Sequence, residues 1–142
     1  MPAVWQQRTA PGFHLYQVVL TAFAAPLFFG ALLSDIAYAR TYEIQWLNFA
    51  AWLIAGGMVF LGFALAWSLI EVVLGPARRR QPLLGGLLLL AAFILGLLDS
   101  FMHARDAWGA MPSGLVQTVI LNGLAILALG LMLQPVRWGP RT

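Results

Sequence analysis

Few side chains in this sequence can do chemistry. The titratable acids are Asp35, Glu43, Glu71, Asp99 and Asp106, the histidines are His14 and His103, and there is no cysteine. Without a thiol there is no disulfide framework, thiolate nucleophile, zinc–thiolate site or iron–sulfur cluster. Asp99 and His103 are four residues apart, so they share one face of a helix, and Asp106 continues that face if the helix persists. With Asp35 at similar depth they make a carboxylate–imidazole set suited to a divalent metal, with Asp35, Asp99 and His103 as ligands, or to a proton relay. The cheaper placement for all of them, and the expected one, is at the water interface against Arg40 and Arg105, because a charge at a helix end costs far less than one mid-membrane. A second group joins His14 to Glu71, with Gln17 and Ser68 one turn deeper. Capping by His14 and loop pairing by Glu71 are the plain expectation, and haem or metal ligation by His14 with Glu71 nearby is the sharper one.

The elements that must position these residues follow from composition. Of 142 residues, 61% are hydrophobic and only 9% charged, and the mean hydropathy is +0.84. Soluble domains carry about 25% charged residues, so this chain cannot wet a water-facing surface, and a soluble enzyme is excluded. Four uncharged runs are long enough to cross a bilayer, at about residues 14–38, 45–74, 82–103 and 113–134. Pro26 should kink the first, Gly75-Pro76 should stop the second, Pro82 suits the opening turn of the third, and Pro135 closes the fourth. Unbroken runs such as Leu87-Leu88-Leu89-Leu90 do not read as the alternating strands of a membrane barrel. The connections, at residues 39–44, 76–81 and 104–112, are short. Short connections predict a single domain, an all-α integral membrane four-helix bundle running up-down-up-down.

Charge sets the expected orientation. The face holding both termini and the second connection carries Arg8, Arg78, Arg79, Arg80, Arg137 and Arg141, whereas the other face carries only Arg40 and Arg105. Positive residues collect in the cytoplasm, so both termini should lie inside a bacterial inner membrane. Tyr42, Trp46, Trp67, Trp108 and Trp138 fall where interfacial aromatic belts are expected. The net charge of +3 is topogenic on this reading, and no nucleic-acid partner is expected. The first dozen residues lack a cleavable signal, so the first span should be retained.

Hydrophobicity inserts such helices but does not pair them, so small residues must. Gly30 and Ser34, Gly62 and Ala66, and Ala92 and Gly96 are small pairs at helical spacing, and Gly56-Gly57 and Gly85-Gly86 permit closer approach. Asn122, near mid-membrane, should seek a partner across a helix interface.

Read together, His14, the stretch Gly30-Ala31-Leu32-Leu33-Ser34-Asp35-Ile36-Ala37-Tyr38, the ending Ser68-Leu69-Ile70-Glu71, and Arg105-Asp106 followed by Met111-Pro112-Ser113-Gly114-Leu115 resemble the small bacterial membrane proteins of domain of unknown function family 2231. The resemblance covers most of the chain. It implies a four-helix bundle with His14, Asp35 and Glu71 as the residues carried over, and a haem- or redox-linked setting. Leu15 stands where that family has proline, and Gln81-Pro82 where it has histidine. Asp99 and His103 fall outside its pattern.

Three functions compete at this point. A non-catalytic accessory or structural subunit of a larger membrane assembly, itself a homo-oligomer or part of a complex, is favoured by small-residue grooves open to partners. A haem b or metal-binding electron-transfer protein would use His14; one chain cannot supply both axial histidines, because His14 and His103 fall at opposite ends of a bilayer core about 30 Å thick. A small transporter is disfavoured, because Val18 to Ser34 contains no charge.

Overall fold

The computed structural model describes residues 13–74, 80–105 and 107–133. Within them the chain forms α1 (Phe13–Thr41), α2 (Ile44–Leu74), α3 (Arg80–His103), a one-turn α4 (Ala107–Ala110) and α5 (Ser113–Leu133). All but α4 are long and apolar enough to cross a membrane, over Leu15–Thr41, Ile44–Val73, Leu83–His103 and Ser113–Leu133. The four expected spans are therefore present within a few residues of their expected limits. The third connection differs, since it contains the turn α4. Gly75-Pro76, Pro135, Trp138, Asp106 and the arginines Arg8, Arg78, Arg79, Arg137 and Arg141 lie outside the described residues.

The first connection is shorter than expected because α1 continues to Thr41. The Thr41 hydroxyl donates to the Ala37 carbonyl at 2.9 Å, and the Tyr42 amide donates to the Tyr38 carbonyl at 2.8 Å. Tyr42 then takes a left-handed φ of 58°, which ends the helix and turns the chain into α2.

Neighbouring helices run antiparallel. Between α1 and α2, Phe23 stacks on Phe60 with ring centroids 5.5 Å apart, and Tyr16 meets Trp67 at 5.7 Å, so numbers fall along one helix as they rise along the other. α1 packs on α2 and α5, and α3 packs on α2 and α5. The helices thus close a ring with α1 and α3 at opposite corners.

Burial repeats every three and four residues in each long helix. In α1 it falls on Gln17, Thr21, Ala24, Phe28, Ala31, Asp35 and Tyr38. In α3 it falls on Gly85, Leu89, Ala92, Gly96, Asp99 and His103, and in α5 on Gly114, Thr118, Leu121, Ala125, Ala128 and Met132. An alternation of three and four averages 3.5 residues, the spacing that keeps one seam facing the partner helices.

Large side chains enter where that seam is smallest. A Cβ on Gly57 would lie 2.5 Å from the Phe28 ring, so only glycine admits Phe28 at that level. Gly96 is covered by Met58, Gly62 faces Phe93, and Gly30 faces Leu53. These grooves are filled from within the chain, and Ala66 is exposed. The expectation that they stand open to partners is corrected accordingly for Gly30, Gly57, Gly62 and Gly96, each of which lies opposite a bulky residue of a neighbouring helix, while Gly86 lies against Ser68. Asn122 meets its expectation, since its amide nitrogen donates across the interface to the Phe28 carbonyl at 2.9 Å.

Candidate functional site

The seam that gathers Phe28 and Leu121 also carries the polar residues inward. Asp35 is one step of seven beyond Phe28, Asp99 follows Ala92 by the same step, and Thr118 is four residues before Asn122. Four side chains from three helices consequently converge near the end of the bundle where α1 stops and α5 starts. Asp35, Asp99 and Thr118 are 0% exposed and His103 is 6% exposed. The expected interfacial placement of Asp35, Asp99 and His103 is thereby corrected. Arg40 and Arg105 are exposed, and the ion pairs formed by the cluster are internal to it. The helical period outweighs the preference of charge for the helix end, because the four groups partner one another. Asp99 Oδ1 alone among them is left without a hydrogen bond, with only an ion-pair contact to His103 Nδ1 at 3.2 Å.

His103 is held on both sides. Its Nδ1 lies 2.9 Å from the Asp99 backbone carbonyl and 3.2 Å from Asp99 Oδ1. A carbonyl can only accept, so Nδ1 carries the hydrogen of that bond. Its Nε2 lies 2.8 Å from Asp35 Oδ1, which requires one proton between them, on either atom. Because α1 and α3 are diagonal, this bond crosses the middle of the bundle. Gly114 of α5 makes room for the ring, since a Cβ there would sit 3.1 Å from His103 Cε1.

Thr118 joins the two carboxylates. Its Oγ1 lies 2.6 Å from Asp35 Oδ2, 3.1 Å from Asp99 Oδ2 and 3.0 Å from the Gly114 carbonyl. A hydroxyl has one hydrogen and two acceptor lone pairs, so it cannot donate to all three oxygens. Both carboxylate contacts are satisfied when Thr118 donates to Asp35 and accepts a hydrogen from Asp99, and the Gly114 carbonyl then competes with Asp35 for the one Thr118 hydrogen. The chain Asp99–Thr118–Asp35–His103 then forms a continuous hydrogen-bonded path.

The divalent-metal possibility for Asp35, Asp99 and His103 meets a different geometry. Their facing atoms are engaged with one another, and no group of three or more such residues among the described ones is arranged to hold a metal ion. Both His103 nitrogens are occupied in the same way, so this ring presents no free ligand to a haem. At the opposite end His14 opens α1 with its side chain outside the described residues, and Glu71 is half-buried near the end of α2. Gln17 and Ser68 are buried in that half of the seam.

Sequence reasoning linked Asp35, Asp99 and His103 but overlooked Thr118, the residue that joins the carboxylates. The signal was present in its spacing, because Thr118 falls on the α5 seam four residues after Gly114 and seven before Ala125. Comparison of the chain with family models, curated proteins and solved structures finds no match.

Proposed function

We propose that this chain is a multi-pass bacterial inner-membrane protein, both termini cytoplasmic, whose working part is a proton-exchange site formed by Asp35, His103, Asp99 and Thr118. The observation that carries the reading is the 2.8 Å bond between His103 Nε2 and Asp35 Oδ1, with both side chains wholly buried. Ionisable groups in a membrane core are expensive, and where they persist they mark ion pathways and proton relays. Here the short contacts also give a route: Asp99 passes a proton to the Thr118 oxygen as Thr118 passes its own to Asp35, and Asp35 exchanges one with His103 Nε2.

Such a site needs no bound substrate. It suits a subunit that takes up and returns protons within a larger membrane assembly, including a redox one of the kind implied by the resemblance to domain of unknown function family 2231. This keeps the accessory role expected from sequence and rests it on the core rather than on open grooves. The test counts protons bound on acid–base titration of detergent-purified protein, for the parent and an Asp35→Asn, Asp99→Asn variant. Loss of protons that the parent takes up and returns supports the reading; identical curves contradict it.

A further inference from the structure

We infer that the cluster exchanges protons with one membrane face only, the face at which α1 ends and α5 begins. The inference rests on the proton-exchange reading and adds its direction. Asp35 is six residues before the end of α1 at Thr41, about 9 Å along a helix axis at 1.5 Å per residue. A thin apolar layer separates the cluster from that end: Tyr38 of α1, Leu47 of α2 and Ala110 of α4, with Met111 packed against them. Beyond it lie the exposed turn residues Tyr42 and Glu43.

The opposite direction is closed. Phe28, Ile54, Leu61, Leu89, Leu121 and Ala125 fill the seam below the cluster at no more than 1% exposure each. The Asn122 amide nitrogen is engaged by the Phe28 and Thr118 carbonyls, both at 2.9 Å. The buried Ser34 hydroxyl donates to the Gly30 carbonyl of its own helix at 2.9 Å, and the hydroxyl further along, on Thr21, points at the Met132 sulfur 3.8 Å away. A proton leaving that way would meet only the Ser34 hydroxyl and the Asn122 amide, whose hydrogens are held by backbone carbonyls. It would then cross apolar side chains as far as Thr21, which costs more than crossing one layer.

The groups that set the protonation of the site are equally localised. α1 contributes Asp35, α3 contributes Asp99 and His103, and α5 contributes the non-titrating Gly114 and Thr118. α2 offers Leu47 and Ala50 at this level of the seam, while Arg40, Glu43 and Arg105 are exposed.

Two equal truncations test the direction. Leu47→Ala thins the layer over the cluster, and Leu89→Ala opens the same volume on the closed side. After a rapid pH change, the carboxyl infrared band of the cluster should respond several-fold faster in Leu47→Ala and at the parent rate in Leu89→Ala. Acceleration by Leu89→Ala, or by neither variant, overturns one-sided exchange. If either truncation fails to fold, the protein carrying Thr41→Cys is reconstituted into sealed vesicles, and an impermeant thiol reagent counts each orientation. An external pH change should then shift the band only in molecules whose Thr41 end faces outward, the remainder following when a protonophore is added. A full response before the protonophore overturns the inference. A parent protein with no pH-responsive carboxyl band would instead remove the proton-exchange reading itself.

Discussion

Replacing Thr118 by valine keeps the shape of the side chain but removes the oxygen that lies 2.6 Å from Asp35 and 3.1 Å from Asp99. The two carboxylates then face each other without a shared donor, and the variant should lose about 1–3 kcal/mol, the cost of stranding a buried polar group. Unfolding in mixed micelles measures it. His103→Leu strands Asp35 as well and should cost roughly 3–5 kcal/mol, whereas the double variant Asp35→Leu, His103→Leu should recover most of that loss, because removing both members of a buried pair leaves nothing unpaired. A double variant as unstable as the sum of its singles would show that the two residues do not act as a pair. Gly114→Ala presses on the His103 ring and should weaken the same bond, with a raised unfolding sensitivity as its readout. Of this cluster, the sequence revealed the shared face of Asp99 and His103, since a spacing of four is readable directly. It hid the partnership with Thr118, because a membrane threonine satisfied by the carbonyl four residues back looks like ordinary packing.

Each long helix was legible from its uncharged run, and its buried face was legible from the alternation of three and four. Following that alternation from Phe28 through Ala31 to Asp35, or from Ala92 through Gly96 to Asp99 and His103, would have placed all three ionisable groups in the seam. The low cost of charge at helix ends pointed the other way, toward Arg40 and Arg105 as partners at the water interface, whereas the partners that permit burial are the cluster residues themselves and Thr118. The turn α4 was illegible, since Ala107–Ala110 is too short to carry a period. Helix pairing makes its own prediction. Gly57→Ala sets a methyl within 2.5–2.9 Å of three Phe28 ring atoms, so it should destabilise the bundle by about 1–3 kcal/mol, as overpacking does. Adding Phe28→Leu should return part of that stability. Equal stability of Gly57→Ala and the parent would mean that α1 and α2 do not approach as closely as described.

For the molecule as a whole, the four spans place the cluster toward the end of the bundle where α1 stops and α5 starts. Reporter fusions at the two termini should both report the cytoplasm, with a reporter inserted at Glu43 on the opposite side; a terminus facing outward would reverse the assignment of the open face. Charge counting reads this orientation from six arginines against two, whereas the three-dimensional meeting of α1, α3 and α5 lies beyond any count along the chain. The measurement that tests the account most directly is the infrared spectrum of the purified protein across pH, in water and in deuterium oxide, for the parent, Asp35→Asn and Asp99→Asn. A protonated-carboxyl band that changes with pH, shifts in deuterium oxide and is lost or moved in both variants is the predicted result. A spectrum in which no such band depends on Asp35 or Asp99 would contradict a proton-exchange core.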